Sequence, residues 1–416
     1  MQETDPPGPE VAPESSTDQA NLTTYAAQLQ FDRPPGLIYR FREQYLGGGE
    51  TICPNTNFLK GVKWSPDGAC FLTASDDNCL RIFDLPAEAY SGELKSQGST
   101  ELHDDTTDSF AAALQVQEGE LVYDYAWYSR MHTSDPVSCC FATTSRAHPI
   151  HLWDACSGSL RCVYRAYDAA DEITAAYSLA FDRQGSRIWA GYNKAIRVFD
   201  LSRPGRDHQT INTFQKGQDG QPGIISCLDF SPDDPNLVAA GSYSSVAAVY
   251  DAASGSAAFI LSGHKGGLTQ VKFSADGNFL YTGARKDVDI LCWDIRYTSD
   301  VVYRLQRDTG DTNQRIQFDI EPMGRHLATG GSDGKVVSFD LTTGEPVSTF
   351  LAATDTLNGF QFHPYLPLAA TASGHRHYPL LEDEDVQEAL AEVDNTLHVW
   401  QYEASWIQLA SQDETQ

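Results

Sequence analysis

Short apolar runs bounded by polar turn residues recur along this chain from about residue 57 to residue 401. The fullest copy lies between Ile260 and Arg296. Within it, 268–273, 278–283 and 288–293 are of strand length and lack helical periodicity. The tetrapeptide Ser-Ala-Asp-Gly at 274–277 between the first two has the composition of a type I turn. The last of these runs, 290–294 (Ile-Leu-Cys-Trp-Asp), has counterparts at 80–84, 150–154, 196–200, 247–251, 336–340 and 397–401. Each is an apolar run closed by an aromatic and, save the last, by aspartate. Spacings of 43 to 70 residues bracket and exceed the roughly 40–45 residues of a four-stranded propeller blade. The pattern predicts an all-β, seven-bladed β-propeller whose longer gaps hold insertions.

The copy at 260–296 also carries a candidate polar core. Gly263-His264 opens it, Asp287 precedes Trp293 by six residues, and Thr282 lies in the middle run. His264, Thr282, Asp287 and Trp293 can form a buried chain, imidazole to carboxylate and hydroxyl to indole, which is stable inside only if every member is satisfied. This is the WD-repeat signature. Asp77, Asp333 and Asp394 stand at the same offset in other copies and read as scaffold carboxylates.

Composition adds limits. Residues 1–35 are acidic and Pro-rich, predicting a disordered tail before a propeller at 36–410 and a short C-terminal tail at 411–416. Acidic insertions fall near 86–108 and 378–394; 385–392 has helical spacing. Two stretches compete to close the ring, 37–45 and 404–410, and the pattern does not choose between them. The nine cysteines lack Cys-x-x-Cys pairing and read mostly as small buried hydrophobes in a reducing compartment. No signal peptide or membrane-length apolar run is visible. No phosphate-binding glycine loop, nucleophile elbow or metal-ligand cluster appears, so neither a catalytic site nor a cofactor, metal or small-molecule substrate is expected.

Net charge is −28, which disfavours indiscriminate nucleic-acid binding. Against that background the turns between the second and third strands of each copy are basic. They hold Arg146, Lys194, Arg285, Lys286, Lys335 and Arg376, and the segments entering each copy add Lys60, Lys265 and Arg315. Phe58, Tyr192 and Tyr243 are aromatics in the same regions. In a propeller these turns gather on one face, which predicts a cationic rim where single-stranded RNA bases stack on aromatics or guanidinium planes. Lys60, Arg146, Tyr192, Lys194, Arg285, Lys286, Arg315 and Arg376 are the candidate RNA contacts.

Several strings are more specific than the repeat: 57–68, 123–129, 148–155, 202–207, 263–267, 283–287, 312–316 and 366–376. Through them the chain resembles the telomerase Cajal body protein 1 family of WD-repeat RNA-binding scaffolds over about 57–401. The resemblance implies recognition of the Cajal body box in small Cajal body RNAs, with telomerase RNA as a further candidate. It also implies association with dyskerin-containing H/ACA particles, a role in telomerase trafficking and telomere maintenance, and a nuclear, Cajal-body location with some cytoplasmic protein. At its ends the chain departs from the vertebrate form, with a shorter N-terminal tail and no Gly-rich C-terminal one. The alternative is a peptide-binding interaction scaffold. A sheet-rich ring of non-local pairings is expected to fold slowly, with chaperonin help.

Overall fold

The computed structural model describes residues 25–41, 57–90, 110–217, 219–376 and 394–408. Seven four-stranded antiparallel sheets form the blades of a ring, each with strands a to d from the channel outward. Blades 1 to 6 span 59–117, 122–164, 178–212, 225–262, 268–306 and 318–351. Blade 7 takes its first three strands from 357–401 and its outer strand from Gly36–Arg40 near the chain's start. That strand pairs with Leu397–Gln401 and closes the ring. The rival stretch does something else: Ala404–Gln408 pairs with Tyr25–Leu29 as a separate two-stranded ribbon. Part of the region expected as tail is therefore strand, and Phe31 beyond it is buried against His326, Phe362 and Tyr402. The rest of the expected tail, most of both acidic insertions with the 385–392 helix, and 411–416 lie outside the described residues.

All seven closing runs are third strands. Strand b is buried on both faces in most blades, as at Cys70–Ser75 and Leu368–Ser373, because each blade is covered by its neighbours. One apolar cluster lies between each pair of adjacent blades, so no blade has a core of its own.

Hydrogen bonds stitch the strands around the channel at every blade junction. The Gln361 side chain accepts from Trp64 N–H at 2.6 Å, and Lys63 reaches Asp124 at 3.1 Å. Asp124 accepts from Leu179 N–H, and Ser178 donates to the Ile225 carbonyl. Asp229, Gln270 and Asp319 accept from the N–H groups of Phe273, Phe318 and Phe362. Apart from the Lys63–Asp124 ion pair, each bond satisfies a backbone group that an inner-edge strand would otherwise leave unpaired in the channel wall.

Blade 5 contains the polar chain. His264 Nδ1 lies 2.9 Å from Asp287, and its Nε2 lies 2.8 Å from Thr282 Oγ1. Trp293 Nε1 donates to the same hydroxyl at 2.9 Å. The imidazole thus bridges the Asp287 carboxylate and the Thr282 hydroxyl through its two ring nitrogens. Burial pushes the Asp287 carboxyl up. The hydrogen bonds from His264 and the Lys265 and Asp289 N–H groups outweigh it, and the group ends well below the ordinary aspartate value.

Three other blades fill the site differently. In blade 4, Gln221 donates to the carbonyls of Ala240 and Val246 and accepts from Tyr250. In blade 6, Arg307 donates to Thr329 and to the Ile316 carbonyl, and burial lowers its pKa to about 10. In blade 2 the residue is Glu118. It accepts from Thr143, from Ser145 at 3.1 Å, from His151 at 3.0 Å and from Trp153 at 3.2 Å. Burial raises the Glu118 pKa, and the His151, Thr143 and Ser145 bonds more than offset it, leaving it lowered.

Candidate nucleic-acid interface

The turns joining strands b and c lie beside the segments that enter strand a, and backbone hydrogen bonds tie the two together. Asp76, Arg146, Arg285, Ser332 and Gly374 donate to the carbonyls of Phe58, Leu121, Gly267, Asp308 and Thr356. Lys194 donates to Gly223, at the entry to the following blade. The sequence segments that carry the scattered cations are thereby brought onto one rim around one end of the channel.

One backbone step recurs in these turns. Asn78, Ala147, Lys194, Ser245, Lys286 and Gly334 all have φ between 52° and 73°. Glycine or asparagine takes this left-handed step most easily; other residues are held there at a cost of about 1–2 kcal/mol. At Lys194 and Lys286 the strained position carries an exposed ammonium.

The candidate cations divide into two groups. Arg146, Lys194, Lys265 and Lys286 are exposed. Arg285 and Arg315 are half-buried at the channel mouth. These six form no ion pair among the described residues. Lys60, Arg376 and Lys335 differ. Lys60 and Arg376 both bind Asp76, at 3.1 and 2.5 Å, and Lys335 binds Asp333 at 2.9 Å. Burial lowers the Lys60 pKa, with Asp76 opposing it. The three are committed to internal partners, so the free rim charge is narrower than the sequence implies.

Tyr192 is corrected outright. It is 3% exposed, packed in the core between blades 2 and 3 beneath the Arg197 guanidinium, and cannot stack on a base. Phe58 is likewise buried. Tyr243 does stand at the mouth. The Arg285 guanidinium covers its ring at 4.5 Å and donates to its hydroxyl at 2.9 Å. Arg315 donates to the same hydroxyl at 2.8 Å. Burial lowers the Arg285 pKa.

Sequence reasoning missed Tyr123 and Tyr177, whose rings lie 5.1 Å apart across the junction of blades 2 and 3. Both line the cavity of about 540 Å³ that the channel forms, together with Tyr243, Arg285 and Arg315. Alternation gave no signal for them: Tyr125 and Trp127, in step with Tyr123, are buried between blades 1 and 2, and a register shift between Val122 and Asp124 turns Tyr123 out of that core. No metal-ligating cluster occurs among the described residues, and none of their helices is long and apolar enough to cross a membrane.

The WD domain, G-beta repeat pattern matches residues 51–84, 209–251 and 255–294. The chain is 46% identical over 345 residues to telomerase Cajal body protein 1 of Rattus norvegicus, covering 81% of this chain and 63% of that protein. It is 36% identical to the Drosophila melanogaster homolog of that protein, covering 77% of this chain and 58% of the homolog. It is also 31% identical to guanine nucleotide-binding protein negative regulator 1 of Schizosaccharomyces pombe, covering 80% of this chain and 83% of that protein. The chain thus spans less than two thirds of the rat and fly relatives and most of the fission-yeast one.

Proposed function

The chain belongs to the telomerase Cajal body protein 1 family of WD-repeat proteins, and from that premise we propose that its basic rim binds RNA as a non-catalytic scaffold. The ligand is the Cajal body box loop of small Cajal body RNAs, with telomerase RNA in the same class. Through it the propeller associates with dyskerin-containing H/ACA particles and brings them to Cajal bodies in the nucleus.

One observation carries the reading. In a chain of net charge −28, Arg146, Lys194, Lys265, Arg285, Lys286 and Arg315 form no ion pair among the described residues and stand around a single channel mouth. Cations left unneutralised in an acidic protein, two of them on strained turns, suit a polyanion. The localised charge also fits selectivity, because the surrounding negative field repels nucleic acid that does not reach the rim.

Binding of a box-bearing hairpin and of its box-mutated form by the purified chain tests the proposal. Tighter binding of the intact box is expected, and equal affinity would remove the sequence-specific claim. Reversing Arg285 and Lys286 to Glu should weaken binding and flatten its salt dependence by about 0.7 log unit per lost phosphate contact. An unchanged slope would move the site elsewhere. Nuclease treatment of the complex isolated from cells separates this reading from a peptide-binding scaffold, whose partners would survive it.

A further inference from the structure

We propose that the channel mouth takes up a single nucleotide extruded from the bound RNA, its base against Tyr123 and Tyr177 and its phosphate between Arg285 and Arg315. The proposal rests on the RNA-binding reading and names the pocket within it.

Arg285 and Arg315 converge on one neutral acceptor, the Tyr243 hydroxyl, at 2.9 and 2.8 Å. Asp124 is the carboxylate that acts on Arg315, and both its oxygens are engaged, one by Lys63 and the other by Leu179 N–H. Arg285 Nε is buried and has no hydrogen-bond partner among the described residues. Two guanidinium groups sharing a phenol leave donor capacity that a phosphate oxygen satisfies better, because a charged acceptor makes the stronger bond.

The cavity of about 540 Å³ is large enough for one nucleotide and opens at the rim where the phosphate chain is proposed to run. Tyr123 and Tyr177 are half-buried with rings inclined at 32°, so they present a partly exposed aromatic wall. Below them the channel wall carries charges that are paired with one another. Asp229 and Asp319 flank Lys272, and Lys63 is held by Asp124.

A Cβ on Gly266 would lie 1.9 Å from the Arg285 carbonyl oxygen, and one on Gly267 would lie 2.8 Å from that of Tyr243. Only a segment without side chains passes that close. These glycines let the entry to blade 5 bind the Arg285 turn to the Tyr243 turn, which sets the two residues face to face.

The test is a scan of the box-bearing hairpin with single abasic substitutions, each removing a base and keeping its phosphate. Affinities are measured with the full chain and with Tyr123→Leu/Tyr177→Leu. At one loop position, base loss should weaken binding by about 5- to 100-fold in the parent. The same loss should have little effect in the double variant. Intact RNA bound selectively with no such coupled position would overturn the pocket and leave the rim reading standing. Failure to distinguish intact from box-mutated RNA would instead remove the sequence-specific claim on which the pocket rests. Should the double variant melt early, Tyr123→Leu alone serves. Tyr243→Phe, which removes only the competing hydroxyl, should hold or raise affinity, and a tenfold fall would overturn the phosphate position.

Discussion

In blade 5 the segment entering strand a brings an imidazole beneath the strand-c tryptophan; in blade 2 the same step of the chain brings a carboxylate. His264 and Glu118 each stand nine residues before the aromatic that ends strand a, Phe273 and Trp127. Each touches the strand-b threonine, Thr282 or Thr143, to which Trp293 or Trp153 also donates. The polarity is exchanged. Blade 5 has its anion, Asp287, at the turn and its imidazole at the entry; blade 2 has its anion at the entry and its imidazole, His151, on strand c. What the two positions share is complete satisfaction of buried donors and acceptors, and side-chain identity follows from which neighbour supplies the proton.

The largest expected effect tests blade 2. Glu118→Ala strands the donors of Thr143, Ser145 and His151 inside the blade, leaves Trp153 only its bond to Thr143, and should cost about 3–5 kcal/mol in denaturant unfolding. A loss below about 1 kcal/mol would break the proposed equivalence. His264→Ala should cost less, about 2–3 kcal/mol, because Asp287 keeps its bonds from the Lys265 and Asp289 N–H groups. If this variant melts like the parent but loses RNA, His264 belongs to the interface instead.

Acid separates these carboxyls from a third. Glu118 and Asp287 are both lowered, so the stability they contribute is complete above the ordinary carboxylate pKa near 4 and is lost as pH falls through their lower folded values. Melting temperature should therefore drop below about pH 4, and Glu118→Gln should blunt the drop. Asp229 has the opposite sign. Burial pushes it up to about 6 against the pull of Lys272, so its contribution is lost as pH rises from about 4 to about 6. Asp229→Asn should remove that part of the profile.

The smallest effect concerns the turns. Ala147 in blade 2 and Lys286 in blade 5 take the same left-handed step. Replacing either with Gly should stabilise by up to about 1 kcal/mol. Under the proposed function only Lys286→Gly should also weaken RNA binding.

Legibility follows the same contrast. Blade 5 was readable because Gly-His, Asp and Trp-Asp stand at familiar offsets. Blade 2 was not, because Glu118 is an ordinary polar residue in sequence and His151 alternates within Ile-His-Leu-Trp like an outward side chain. All seven third strands were legible, since each carries its own apolar run. Ring closure was not, because 37–45 and 404–410 alternate equally well and only the register decides. Tyr192 misled because strand b is buried on both faces, where alternation loses its meaning. The pairing of Arg376 with Asp76 joins residues 300 positions apart across the closing junction, and no local pattern announces it.

The pairing of Gly36–Arg40 with Leu397–Gln401 also orders events on the ribosome. The strand at 36–40 waits for one made more than 350 residues later (Arg40 and His398 are 358 apart), and the inner edge of blade 1 meets blade 7 only then. Throughout synthesis the growing arc has two raw flanks of apolar sheet, each able to seize another nascent chain. An enclosure that isolates one polypeptide until its ends meet answers that hazard. A chaperonin would then serve chiefly to guard a latch that translation delays.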